Sequence, residues 1–131
     1  MKNSSNIFQW VPRILGILAI LFISLFAADS FSPNLTLSQQ LLGFLIHLIP
    51  SFVLLGVLIL AWKRELIGGI VFCVIGIVMS PFVFSLNYEM NHSIWISVGI
   101  ILLITFPFIV LGFLFILSYM KNKKKRNLDL K

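Results

Sequence analysis

His47 is the one ionisable side chain well inside an apolar run of this sequence, and such a group at membrane depth is costly enough to mark a functional candidate. Grouped with Asp29, Glu89 and His92, it would offer donors for a metal ion or a proton relay, although none of these spacings matches a known ligand pattern. Alone, it would stay neutral and donate a hydrogen bond to a carbonyl or hydroxyl of the next helix; this packing role is preferred. Gly43, Pro50 and Ser51 share its helical face, so His47 is expected to look into the interior of a bundle. The single Cys73 allows neither an internal disulfide nor an all-cysteine metal site, and within an apolar run it acts as a small packing residue. The motifs GxxxxGK[ST], HExxH, GxSxG and CxxC do not occur. One membrane histidine cannot supply two axial haem ligands, and no span holds the internal carboxylate that a proton-coupled transporter uses. The expectation is a non-enzymatic protein with no cofactor and no bound metal.

The elements that hold these residues follow from composition. Of 131 residues, 60% are hydrophobic and 11% charged, and mean hydropathy is +1.07. A soluble domain averages about half apolar and about a quarter charged, and a small one buries only about two-thirds of its unfolded surface. A soluble globule and a disordered chain are excluded, which leaves an integral membrane protein. A spanning helix needs about 20 mostly apolar residues, and 41–62, 66–86 and 94–119 qualify without one formal charge. The first run, 14–28, is shorter. It reaches span length, as 12–30, only if Pro12 opens the helix and Arg13 extends to the headgroups. A signal peptide would place Leu25 or Phe26 where a small residue is wanted, so a retained helix is preferred. The expected fold class is all-α: a polytopic, four-transmembrane-helix bundle forming one domain over 1–120, with a basic cytoplasmic tail at 121–131.

The ten Lys and Arg residues set the orientation. With four spans, Lys2, Arg13, Lys63, Arg64, Lys121, Lys123, Lys124, Lys125, Arg126 and Lys131 all fall on one side. Loops 29–40 and 87–93, on the other, carry Asp29 and Glu89 and no cation. Excess Lys and Arg marks cytoplasmic segments, which predicts cytoplasmic termini and a multi-pass protein of the cell inner membrane. Trp10, Trp62 and Tyr119 at one interface, with Tyr88 and Trp95 at the other, fit this register. Topology therefore accounts for the net charge of +6, and nucleic acid is not an expected partner. The cluster Lys121, Lys123, Lys124, Lys125 and Arg126 fixes the cytoplasmic end and can also attract anionic lipid headgroups of the bilayer, at about 1 kcal/mol per charge.

The link Lys63-Arg64-Glu65 makes spans two and three adjacent and antiparallel, and 87–93 does the same for three and four. Ser32-Pro33-Asn34 reads as a turn, and Thr36-Leu37-Ser38-Gln39 as a capping box opening span two. The tail from Lys121 is expected to fray. Pro50-Ser51-Phe52-Val53-Leu54 aligns with Pro107-Phe108-Ile109-Val110-Leu111, which would suit duplicated hairpins, but aliphatic runs often match by chance.

Membrane helices associate by close packing. Gly69, Cys73, Gly76 and Ser80 form one narrow stripe on span three, and Gly16, Ala19 and Ala27 a weaker face on span one. These read as seams within the chain in preference to a dimer interface, with Gly76 expected to meet span two across the tight hairpin. Pro50, Pro81 and Pro107 each free a carbonyl and are expected to interrupt spans two, three and four, where Ser51, Ser80 and Thr105 can satisfy the loosened backbone. Broken helices occur at transporter sites and wherever a bundle curves; curvature is the preferred reading.

Four strings resemble a family of small uncharacterised bacterial membrane proteins over most of 10–120. They are Arg13-Ile14-Leu15-Gly16, Leu41-Leu42-Gly43-Phe44-Leu45-Ile46-His47-Leu48-Ile49-Pro50, Ala61-Trp62-Lys63 with Glu65-Leu66-Ile67-Gly68-Gly69, and Asn91-His92-Ser93-Ile94-Trp95. The resemblance implies a short four-helix chain in a bacterial cytoplasmic membrane and carries over no activity and no functional residue. The leading expectation is a protein that works by association, as a homo-oligomer or with a membrane-protein partner in a larger complex. The alternative is a small transporter or channel component that uses the proline-broken helices and His47.

Overall fold

The computed structural model describes residues 3–129, so Lys2 and Lys131 of the basic side lie outside the described residues. Helix α1 (Asn3–Leu25) passes into a short 3-10 segment (Phe26–Ser30); α2 (Leu37–Lys63), α3 (Glu65–Asn91), α4 (Ile94–Ile104) and α5 (Phe106–Asp129) follow. Among the described residues there is no strand. Four stretches are long and apolar enough to cross a membrane: Ile7–Ser30, Leu37–Lys63, Glu65–Asn91 and Ile94–Asp129. The fold is an all-α bundle of four such spans, the fourth built from α4 and α5.

Local chemistry explains the boundaries. At Thr36 the expected capping box forms: Gln39 N–H donates to Thr36 Oγ1 at 3.4 Å, and Thr36 N–H to Gln39 Oε1 at 3.0 Å. Between α2 and α3 the chain reverses over Arg64 alone, tighter than the expected three-residue link. Gly68 permits this, because a Cβ there would fall on the backbone of Ala61. Helix α3 closes on His92 in the left-handed region, φ 49°, with its amide donating to the Tyr88 carbonyl at 2.8 Å. Histidine enters that region more readily than most residues. Ser93 then caps α4 through Ile96 N–H.

Three expectations about helix continuity need correction. Pro12 does not open span one; it lies buried inside α1. Pro50 and Pro81 do not interrupt α2 or α3, since a single missing hydrogen bond is absorbed by the flanking turns of a long packed helix. Only Pro107 coincides with a break. There Thr105 takes the Ile101 carbonyl with both its N–H (2.9 Å) and its hydroxyl (3.0 Å), a back-bond that bends helices. Its own carbonyl then accepts from Phe108 N–H at 3.1 Å. Finally, the basic tail does not fray: α5 runs to Asp129. Lys and Arg are good helix formers, and cations near a helix C-terminus complement its dipole.

Spans one to four form a ring in chain order, with α1 against α2 and α5, α2 against α3, and α3 against α4 and α5. Span one meets span four through α5, whereas α4 packs chiefly on α3 and α5. The core combines Ile20, Leu54, Leu58, Ala61, Phe72, Phe108, Leu111 and Phe115. All four spans are thus drawn together toward the end that holds Arg64, Asn3 and Asp129. Toward the other end the chain divides into a pair of spans one and two and a pair of spans three and four.

Candidate functional site

The small-residue stripe of α3 lies against α5, not against α2 as expected for Gly76. A Cβ on Gly69 would stand 2.7 Å from the Gly112 carbonyl oxygen, and one on Gly112 would stand 2.5 Å from that of Gly69. Each glycine therefore receives the other's backbone, a geometry suited to weak Cα–H···O contacts. Gly76 leaves room for Ile109 and the Thr105 carbonyl, and Cys73 Sγ donates to the Ile109 carbonyl at 3.6 Å. The partner was decided by Gly112, the one glycine of α5; α2 offers Leu54 and Leu58 to the core instead. Beside this seam Phe72 enters between Phe108 and Phe115, with centroids 6.2 and 6.1 Å away and planes within 4°. The 4 and 3 spacing of Phe108, Gly112 and Phe115 was the available sequence signal for this face.

Hydroxyls bridge both pairs of spans. Ser80 Oγ donates to the Gly76 carbonyl at 2.7 Å and lies 2.9 Å from Thr105 Oγ1. In the other pair, Ser24 Oγ donates to the Ile20 carbonyl at 2.8 Å and meets the buried Ser51 at 3.0 Å. Gly43 and His47 continue the Ser51 face toward the 3-10 segment, yet His47 is exposed rather than turned into the bundle. At that depth α1 has given way to the narrower 3-10 segment, which reaches this face through Ser30. Nδ1 of His47 lies 2.8 Å from the Gly43 carbonyl and 3.1 Å from Ser30 Oγ. A carbonyl only accepts, so the first contact places a proton on Nδ1. Asp29, Glu89 and His92 do not join it: among the described residues no three His, Cys, Asp or Glu side chains lie close enough to hold a metal ion.

Two apolar cavities flank the contact of spans one and four at mid-helix level. One, of about 440 Å3, opens between α2 and α3 and is bounded by Pro50, Leu54, Gly76, Met79, Thr105 and Phe108. The other, of about 400 Å3, lies between α1 and span four, at Ala19, Phe22, Pro107 and Leu111. Both fall in the ~300–1,000 Å3 range of ligand pockets, and His47 lines neither.

The basic end is ordered by its own contacts. Lys121 Nζ stands 3.1 Å over the Phe8 ring, and Asn122 Nδ2 donates to Glu65 Oε2 at 3.1 Å. Lys123, Lys124, Lys125 and Arg126 are exposed along the end of α5.

A family model described as Domain of unknown function (DUF7670) matches residues 1–127, and the chain belongs to that family. No curated protein and no solved structure matches it.

Proposed function

We propose that this member of a family of unknown function is a non-enzymatic membrane protein that acts by association with other membrane helices, as a homo-oligomer or as a subunit of a larger complex. It resides in the cell inner membrane with both termini on the cytoplasmic side, the orientation that the clustering of Arg13, Lys63, Arg64 and the α5 cations at one end favours. What carries the reading is the cavity between α2 and α3. Its lining is apolar, it lies at mid-span, and its mouth passes between two helices whose outward faces carry Val53 and Val78, both more than half exposed. Such a cleft suits apolar side chains of an inserted helix and offers no set of polar groups to a reacting solute. The small-residue seam of α3 is occupied by α5, so it is not the proposed partner surface.

The test is crosslinking in native membranes from a Val78→Cys chain carrying Cys73→Ser, followed by blue-native electrophoresis. A discrete crosslinked assembly through position 78 is expected. A strict monomer that moves a solute in reconstituted vesicles would instead favour a transporter or channel component. The break at Thr105 and Pro107, which borders both cavities, is the observation on that side.

A further inference from the structure

Arg13 lies within the first spanning stretch, is half-buried, and has no carboxylate to balance it among the described residues. Of the four acidic residues, Asp29 and Glu89 are at the opposite end of the bundle, Glu65, on its own end, is engaged by Asn122, and Asp129 closes α5 seven residues beyond Asn122. The guanidinium carbon instead sits 5.6 Å from the Trp10 ring centroid and 5.8 Å from that of Trp62. Indole faces attract a cation but accept no conventional hydrogen bond from it, and Nε of Arg13 is buried with no partner among the described residues. An uncompensated cation at the edge of a spanning helix is costly. A guanidinium held by aromatic faces still presents planar donors, a fork that matches phosphate oxygens two at a time. The depth agrees, because tryptophans settle at the headgroup level. Lys63 and Arg64, directly after Trp62, add positive charge on the same end.

We infer that Arg13, flanked by Trp10 and Trp62, binds the phosphate of a membrane phospholipid at the basic end of the bundle. The site is built on α1 and α2, apart from the run 123–126 of α5, and does not depend on the association reading. Trp10 and Trp62 position the guanidinium, Arg13 supplies the donors, and the acyl chains of the bound lipid run along the outward faces of α1 and α2.

The test uses the full chain purified in a neutral maltoside detergent. Phosphatidylglycerol, a diacylglycerol with the same acyl chains, and inorganic phosphate are each added. Thermal midpoint and retained lipid by native mass spectrometry are read. Phosphatidylglycerol is expected to raise the midpoint with one tightly retained copy, while the diacylglycerol and inorganic phosphate do neither. Arg13→Gln is expected to weaken retention by about tenfold or more, the scale of one charge-assisted hydrogen bond, and to leave the lipid-free midpoint unchanged or higher, since it removes an unpaired charge. A chain with Lys123, Lys124, Lys125 and Arg126 all changed to Gln is expected to keep the lipid. Equal stabilisation by diacylglycerol or by inorganic phosphate would overturn the proposal on the wild-type chain alone, whatever the variants do. So would undiminished retention by Arg13→Gln, or loss of the lipid in the α5 variant.

Discussion

Helix α3 meets α5 and α2 in opposite ways. Against α5 it interlocks: Gly69 and Gly112 exchange backbone contacts, Gly76 admits Ile109, and Phe72 fills the space between Phe108 and Phe115. Against α2, to which a single residue joins it, contact is intimate at Gly68 and Ala61, and a cavity of about 440 Å3 opens further along. The shorter connection thus gives the looser interface. In a bilayer no burial from water closes such a gap, because lipid tails are as apolar as the side chains. Close packing must bring helices together, and α3 and α5 match in shape along their seam while α2 and α3 match only near their turn.

The largest effect should come from filling the interlock. Gly112→Leu is expected to cost about 3 kcal/mol, the upper part of the overpacking range, because the obstruction is backbone and cannot rotate away. The partner experiment is Gly56→Leu on α2, where a Cβ meets nothing within 4 Å; it should stay within about 0.5 kcal/mol of wild type. Reversible unfolding in mixed micelles, repeated at several protein concentrations, reads both. Equal costs at the two positions would erase the contrast. A concentration-dependent cost at 112 would move that seam to a second chain.

Next in size is Phe72→Ala. In a water-soluble core this change costs about 3–5 kcal/mol. Here the lost atoms forfeit packing but no transfer from water, so about 2 kcal/mol is expected. Val53→Ala at the mouth of the cavity should cost far less, since mobile apolar groups can already reach it. A larger loss at 53 than at 72 in the same unfolding assay would show that the cavity side carries the fold.

How legible was this in the sequence? The number of spans, the capping box at Thr36 and the common end of the described cations followed from hydropathy, charge and local spacing, which act residue by residue; the apolar stretches themselves run further, the fourth on to Asp129. The partner of the α3 stripe did not. Gly69, Cys73, Gly76 and Ser80 announce a close approach, but the choice between α2 and α5 depends on a single glycine at 112 and on three phenylalanines whose mutual register no local pattern encodes. His47 is exposed for a related reason. It shares a face with Gly43 and Ser51, yet its exposure is decided by where α1 stops and the 3-10 segment begins. The prolines show the same limit: Pro107 breaks its helix in company with the Thr105 back-bond, and Pro50 and Pro81 do not.

The two hairpins that flank α3 differ as well. Arg64 turns with help from Gly68, whereas His92 holds a positive φ of 49° without being glycine. His92→Gly should therefore stabilise the chain by about 1 kcal/mol, the steric cost of that region for a residue with a Cβ, offset in part by loss of the edge contact with the Tyr88 ring. The thermal midpoint should rise. A fall would mean that the histidine ring, and not the backbone, is what holds α3 to α4 at this end.

The smallest predicted effect tests whether hydroxyls add to the interlock or merely fit within it. Ser80 and Thr105 each donate to a carbonyl of their own helix, at 2.7 and 3.0 Å, while their oxygens lie 2.9 Å apart across the seam. Two hydrogens must serve three contacts, so the bond between helices forms only when one of the bonds within a helix is given up. Deleting either hydroxyl, by Ser80→Ala or Thr105→Val, frees the other to keep its own carbonyl. Each change should cost about 0.6 kcal/mol, the average for hydrogen bonds between membrane helices, and the coupling in a double-mutant cycle should fall below that figure. A coupling well above it would mean that the hydroxyl pair binds α3 to span four in its own right. The shape match of Gly69, Gly76 and Gly112 would then no longer suffice to explain why α3 pairs with α5 and opens away from α2.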